Sequence, residues 1–481
     1  MNIGSIQRQS VIFVASTICL TVVGFVSTIY FAHVLGPAPL GAYFLFLAYF
    51  GIFNLIGDGG FGGAAVKRIS EGKEPDEYFS AFVFIRIALL AVSVTALLWA
   101  EPYLKDATSS GIFFWLLLVL IVSVFSSSTG IGIYGSGKVG LYQISGFLDA
   151  VLRTVFQIIA VFFGFGIAGL TGGFVGGLIA GGIANFWSLD LKLVRFRISH
   201  LKSLSIFSFW SFLTATGSLV FCYADTILIG YFMSNADVGI YRTAFQLTSV
   251  ATFTTLAFST VLYPKISNWG TQDSRAEIEN SLARAFTYSL FLAIPACIGG
   301  WILGERLLYF LYGAAFTAGT PAFFILLLVQ VVNVFMFLGT MSLNALNRPK
   351  DAFWITVVAA IANILLDMAL IPILGITGAA VATLIAMTVN AIGALILLSR
   401  IISIKFEHRP VKNMIYAAGC MGIFLLFIHV ILPLTYITAV LTVVVIGAGV
   451  YIAVLFKLDR EIHDELKSLS ANLGVLWPRW L

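Results

Sequence analysis

The chain has 481 residues, 60% of them hydrophobic and only 10% charged, with a formal net charge of +5. A water-dissolved protein of this length needs far more polar surface, so a soluble enzyme is excluded and lipid is the solvent for most of the chain. The mean hydropathy of +1.01 agrees.

Runs of about 20 apolar residues are long enough to cross a bilayer. On that criterion spans are predicted near 11–34, 40–57, 79–99, 112–132, 141–164, 167–188, 206–231, 238–262, 284–304, 320–344, 352–372, 376–399, 413–432 and 436–456. The first run carries no small-residue cleavage pattern and reads as a retained span, not a removable signal peptide. The 43 Phe and 45 Gly suit lipid-facing and closely packed membrane helices respectively. Cys19, Cys222, Cys297 and Cys420 sit far apart in apolar stretches, which favours small core residues over a disulfide framework or a metal site. No connecting loop is long enough for a catalytic domain of ordinary size. The stretches 265–283 and 457–472 read as short amphipathic surface helices.

The Lys and Arg residues give an independent check. With a cytoplasmic N-terminus, 21 of the 27 fall in inner segments, including Lys67, Arg68, Lys192, Arg195 and Arg197. Only Lys105 and Arg306 fall in outer ones, and Arg86, Arg153, Arg242 and Arg284 lie in or beside spans. One missed span would invert every later loop, so this bias favours about fourteen helices with both termini cytoplasmic.

Two pairs of short matches recur in order. Gly41-Ala42-Tyr43 is echoed by Gly239-Ile240-Tyr241, and Gly166-Ile167-Ala168-Gly169 by Gly375-Ile376-Thr377-Gly378, at offsets of 198 and 209 residues. A six-helix unit therefore repeats, and because six is even the copies run parallel. The expected division is a first lobe at 1–190, a basic linker at 191–205, a second lobe at 206–400, two added spans at 401–456 and a tail at 457–481.

Gly164, Gly166 and Gly169 also have the G-x-G-x-x-G spacing of a dinucleotide site, with Asp190 near the ribose-binding distance. Here, though, a full span precedes the glycines and Asp190 falls at the far end of the next one. Gly169, Gly173, Gly177 and Gly181 continue four apart, which reads as a small-residue stripe for close helix contact.

Ionisable groups inside spans are costly and each one needs a reason. Asp149 and Arg153 lie four apart on one helix face. Asp225 and Arg242 fall toward the outer side, where they can pair, and Asp367 lies about a turn before Pro372. Arg86 and Asp58 lie toward the cytoplasm, Asp58 beside Lys67 and Arg68. A water-filled cavity between the lobes is one reading, with Arg86, Asp149, Arg153 and Arg242 binding an anionic substrate and Asp149, Asp225 or Asp367 coupling an ion. Structural ion pairs holding helices in register are the other, favoured for Asp58. His33 and His429 read as interfacial. No cofactor, metal or nucleic-acid motif is present.

The runs FAHVLGPAPLGAYFLF, DGGFGGAAVKRIS, YADTILIGYFMSNADVGIYRTAFQL, STVLYPKIS and LNALNRPKDAFWITVVAAIANILLDMALIPILGITGAAVATLI resemble the Wzx-type polysaccharide-biosynthesis flippases, within the superfamily of MATE exporters and the peptidoglycan lipid flippase. The resemblance implies an all-α polytopic membrane protein with two MATE-like six-helix lobes. It also implies alternating-access transport of a lipid-linked oligosaccharide from the cytoplasmic to the outer leaflet of the cell membrane. The substrate's phosphate or pyrophosphate would suit Arg153 and Arg86. The partners it implies are the lipid-linked glycan, the bilayer, H+ or Na+, and other glycan-assembly membrane proteins. A MATE-type drug exporter fits the fold but not a basic cavity. A polysaccharide polymerase or ligase would need a sizeable external loop bearing catalytic Arg or His, and a non-transporting scaffold would leave the buried charges without a purpose.

Overall fold

The computed structural model describes residues 20–104, 108, 110–272, 274–404, 406–432 and 435–459, and every regular element among them is a helix. In the first part of the chain these are α1 (Leu20–Leu35), α2 (Pro37–Asp58), α3 (Phe61–Ser70), α4 (Pro75–Ala100), α5 (Ile112–Gly135), α6 (Val139–Phe162), α7 (Gly166–Trp187) and α8 (Ile198–Phe232). Then follow α9 (Asn235–Thr248), α10 (Phe253–Thr271), α11 (Arg275–Tyr312), α12 (Thr320–Ala345), α13 (Pro349–Leu374), α14 (Ile376–Ser399), α15 (His408–Ile431) and α16 (Ile437–Leu458).

Among the described residues twelve helical segments are long and apolar enough to cross a membrane, and Leu20–Leu35 and Phe221–Phe232 are shorter apolar helices. The protein is a multi-pass membrane protein. Trp99, Phe162, Ile373 and Val430 lie more than three-quarters exposed, which bare water would penalise and acyl chains accept. Pro37, Pro75 and Pro349 each open a helix, where the missing N–H costs nothing.

Backbone contacts divide the chain into Met1–Gly239 and Ile240–Leu481. The expected boundary at 191–205 falls inside the first unit because α8 packs there. Leu204 is buried with Ala64, Ile69, Phe79 and Phe82, and a Cβ on Gly60 would meet the α8 backbone at Ser208 and Phe212, 2.4–2.5 Å away. In the second unit α15 and α16 share a core with α11, where the Tyr451 hydroxyl donates to the Phe291 carbonyl at 3.0 Å.

Two local features refine the predicted elements. The stretch 265–283 is not a separate short helix but the end of α10 and the start of the 38-residue α11, with Ile266, Ile278 and Leu282 buried in the core and Lys265, Arg275 and Glu277 exposed. Its charges mark the two helix ends, and its apolar residues point inward. The run after Asp58 forms the separate helix α3, set off by Gly59 and Gly60, whose φ values of +57 and +76 suit glycine. The amphipathic reading of 457–472 falls mostly outside the described residues, as does Cys19.

Candidate substrate site in the membrane helices

The glycine stripe of α7 lies against the polar face of α6. A Cβ on Gly169 would stand 3.0 Å from Ala160, one on Gly173 2.5 Å from Gln157, one on Gly177 2.6 Å from both Asp149 and Arg153, and one on Gly181 2.9 Å from Asp149. Each step of four along α7 thus meets a step of three or four along α6. Glycine is required because a larger residue would occupy the volume of the charged side chains. The motif with dinucleotide spacing is a helix-packing seam, and Gly164 and Gly166 turn the chain at φ +84 and +52.

Along that seam Arg153 donates to Asp149 at 2.7 Å, with the two side chains 29% and 18% exposed. The guanidinium carbon lies 4.5 Å from the centroid of the Phe174 ring, a cation–π contact. Phe46 and Phe50 of α2 meet the same ring edge-on at 5.6 Å. One turn beyond Arg153, Gln157 donates to the Tyr43 hydroxyl at 2.9 Å and to the Leu170 carbonyl at 2.8 Å. The pair lies against aromatics yet keeps its partial exposure, while its Asp149 Oδ1 and Arg153 Nε atoms are buried without a hydrogen-bond partner among the described residues. Gln157, Tyr43 and Phe174 were not singled out from the sequence as site residues, Tyr43 entering there only as part of the repeat. Gln157 could have been, since it extends the four-residue spacing of 149 and 153.

Arg86 is placed differently. It is 1% exposed, 3.6 Å from the Asp58 carboxylate, and donates to Ser127 at 2.8 Å and to Asn54 at 3.3 Å. Ser123 donates to the same Asn54 oxygen at 3.1 Å. A guanidinium so enclosed has no open face for a substrate, so its anion-binding role is at odds with this placement. Asp58 faces Arg86 across helices, as a structural ion pair would.

In the second unit Asp367 and Asn363 are buried one turn apart on α13 at 0% and 1% exposure. Across the Gly375 turn, α14 contributes buried Thr383 and Asn390, and Thr383 lies 3.4 Å from the Tyr241 hydroxyl. Gly378 repeats the role of Gly169: a Cβ there would lie 2.3 Å from the Leu370 carbonyl oxygen. Arg242 lies 5.4 Å over the Phe245 ring. Asp225 is 9% exposed on α8 and belongs to the first unit. His33 and His429 are both exposed near helix ends.

Outside the membrane core, the α4 entrance is tied to the start of α8. His200 Nδ1 accepts from the Arg197 N–H at 3.0 Å, which leaves Nε2–H to donate to Glu74 at 2.9 Å. That hydrogen bond holds the Glu74 carboxyl below its usual range. A carboxyl lowered by folding stabilises above its unfolded pKa and loses that contribution as pH falls through its folded pKa. Glu74→Gln should therefore lower the thermal midpoint of the solubilised protein at pH 7, and the difference from wild type should shrink as pH falls from the ordinary carboxylate range through the lowered folded pKa of Glu74. A difference independent of pH would show that charge has no part in the tie.

Residues 30–321 match the family described as polysaccharide biosynthesis protein, and the chain belongs to that family. It is 27% identical over 481 residues, 98% of this chain and 99% of the other, to a protein of Haloferax volcanii named probable flippase AglR. It is also 27% identical over 391 residues, 80% of this chain and 82% of the other, to that organism's probable low-salt glycan biosynthesis flippase Agl15. Among solved structures, the lipid II flippase MurJ in an inward closed conformation superposes with a TM-score of 0.80 at 20% identity, covering 94% of this chain and 99% of that one. An inward-facing MATE family multidrug resistance transporter of the MOP superfamily gives 0.65 at 16% identity, over 79% and 94%. The fold is the one these transporters share.

Proposed function

We propose that the protein is a flippase that carries a polyprenyl-phosphate- or pyrophosphate-linked oligosaccharide from the cytoplasmic to the outer leaflet of the cell membrane by alternating access. It would thereby supply cell-surface polysaccharide or glycoprotein biosynthesis. The observation that carries this reading is the partly accessible Asp149–Arg153 pair, set on an aromatic wall inside a membrane helix. The flippase names of the two Haloferax relatives support it, as does the bias of basic residues toward segments that would be cytoplasmic if both termini are.

Arg153 is the residue that meets the substrate's phosphate, because a guanidinium fork matches that geometry and Asp149 balances its charge between substrates. Arg242 is a second, half-buried cation for the same anion. Asp367, buried with Asn363 one turn away on α13, is the first choice for coupling to H+ or Na+, with Asp225 and Asp149 as further acids. Other glycan-assembly membrane proteins are its partners in the membrane.

Depleting the protein from its host should trap the lipid-linked glycan on the cytoplasmic leaflet, read by its protection from an impermeant glycosidase in right-side-out vesicles. Restoring wild-type protein should expose it. Collapsing the proton or sodium gradient should slow exposure several-fold, and Asp367→Asn should remove that dependence. Normal exposure in depleted cells would refute the flippase reading, whereas gradient-independent exposure would refute only the coupling.

A further inference from the structure

We propose that residues 187–198, the link between α7 and α8, form a strap that binds anionic phospholipid headgroups at the bilayer surface. Residues 189–197 adopt no regular element, yet the backbone is held at several points. The Lys192 N–H donates to Asp76 at 2.9 Å and the Val194 N–H to the Ser80 hydroxyl at 2.8 Å. Lys138 donates to the Ser188 carbonyl at 2.8 Å and pairs with Asp190. At the far end the Arg197 N–H is taken up by His200. The strap is therefore pinned through its main chain and through Leu189, Leu191 and Phe196, which pack against the core beneath it, while Trp187, Lys192, Leu193, Arg195, Arg197 and Ile198 are turned outward.

Those side chains alternate two chemistries. Trp187 is 85% exposed, Leu193 69% and Ile198 83%, and exposed Lys192, Arg195 and Arg197 stand among them. Lys192 and Arg195 form no ion pair among the described residues. One end of the strap is the last turn of a membrane-crossing helix, so it lies at the depth where headgroups meet acyl chains. Trp and aliphatic side chains settle into that layer while neighbouring cations reach its phosphates. The five-residue interval from Lys192 to Arg197 can reach about 17 Å, which suits several headgroups side by side better than one pyrophosphate. Each cation near an anionic surface strengthens its attraction to that surface by about five-fold.

The test uses full-length protein with its four cysteines replaced and an environment-sensitive fluorophore on Ile198→Cys, in nanodiscs of phosphatidylcholine alone or doped with phosphatidylglycerol. Doping should shift the emission to the blue, and high salt should reverse the shift. The Lys192→Gln/Arg195→Gln/Arg197→Gln variant should need about 10- to 100-fold more anionic lipid for the same shift. Should that variant fail to fold, Lys192→Gln/Arg195→Gln carries the same comparison at about 10-fold. Identical emission in both lipids, or equal responses of variant and wild type, would overturn the proposal. So would a shift produced by inorganic pyrophosphate in undoped discs, which would make the strap a free-phosphate site.

Discussion

Gly177→Leu should abolish transport and sharply reduce folded protein in the membrane, while Gly146→Ala on the neighbouring helix should leave both unchanged. The two glycines look equivalent on paper, each within a predicted span. At Gly177 a single Cβ would already stand 2.6 Å from Asp149 Oδ1 and 2.8 Å from the Asp149 carbonyl oxygen, so α6 and α7 must part to admit it. Overfilling a packed interface costs about 1–3 kcal/mol per misfit side chain, and leucine would also displace the charged pair. At Gly146 nothing lies within 4 Å of the added carbon, and alanine should gain up to about 1 kcal/mol of helix propensity. Folded yield after detergent extraction, together with glycan exposure in vesicles, measures both. A well-folded, active Gly177→Leu protein would show that the seam is not needed.

Arg153→Ala should lower transport by about 10- to 100-fold, the loss of a charge-assisted contact to phosphate worth about 1.5–3 kcal/mol. It also leaves Asp149 without its counter-charge, and breaking a buried pair on one side costs several kcal/mol when burial is complete. These side chains are partly accessible, so the penalty here is smaller. The neutral double variant Asp149→Asn/Arg153→Gln separates the two effects. It removes the stranded charge and keeps the shape of the seam, so abundance should recover while transport stays low. Recovery of both would mean that the pair holds helices together and does not meet the substrate.

Much of this molecule could be read from the chain alone. Apolar run lengths mark the helices, since a backbone in lipid must satisfy its own hydrogen bonds within each segment. The Asp149–Arg153 pair was legible because four residues is one helical turn. The repeated turns at Gly166 and Gly375 were legible because each needs φ > 0, at +52 and +60. Arg86 was not legible. Its partner Asp58 lies 28 positions away on another helix, whereas Lys67 and Arg68 are nearer to Asp58 in sequence. Helix hydropathy likewise could not show that 265–283 joins two long helices with one face covered, because which face is covered depends on the neighbour.

Composition and spacing therefore determined the solvent, the helices, the repeat and the residues able to carry charge into the membrane, all consequences of local chain geometry and transfer free energy. Only the tertiary structure decided which charges meet. It set the α7 glycines against Asp149, Arg153 and Gln157, closed Arg86 inside the first unit, and pinned the link between α7 and α8 so that its basic side chains face outward. Those outcomes depend on the register and rotation of one helix against another, which are fixed by side-chain volumes on both helices at once.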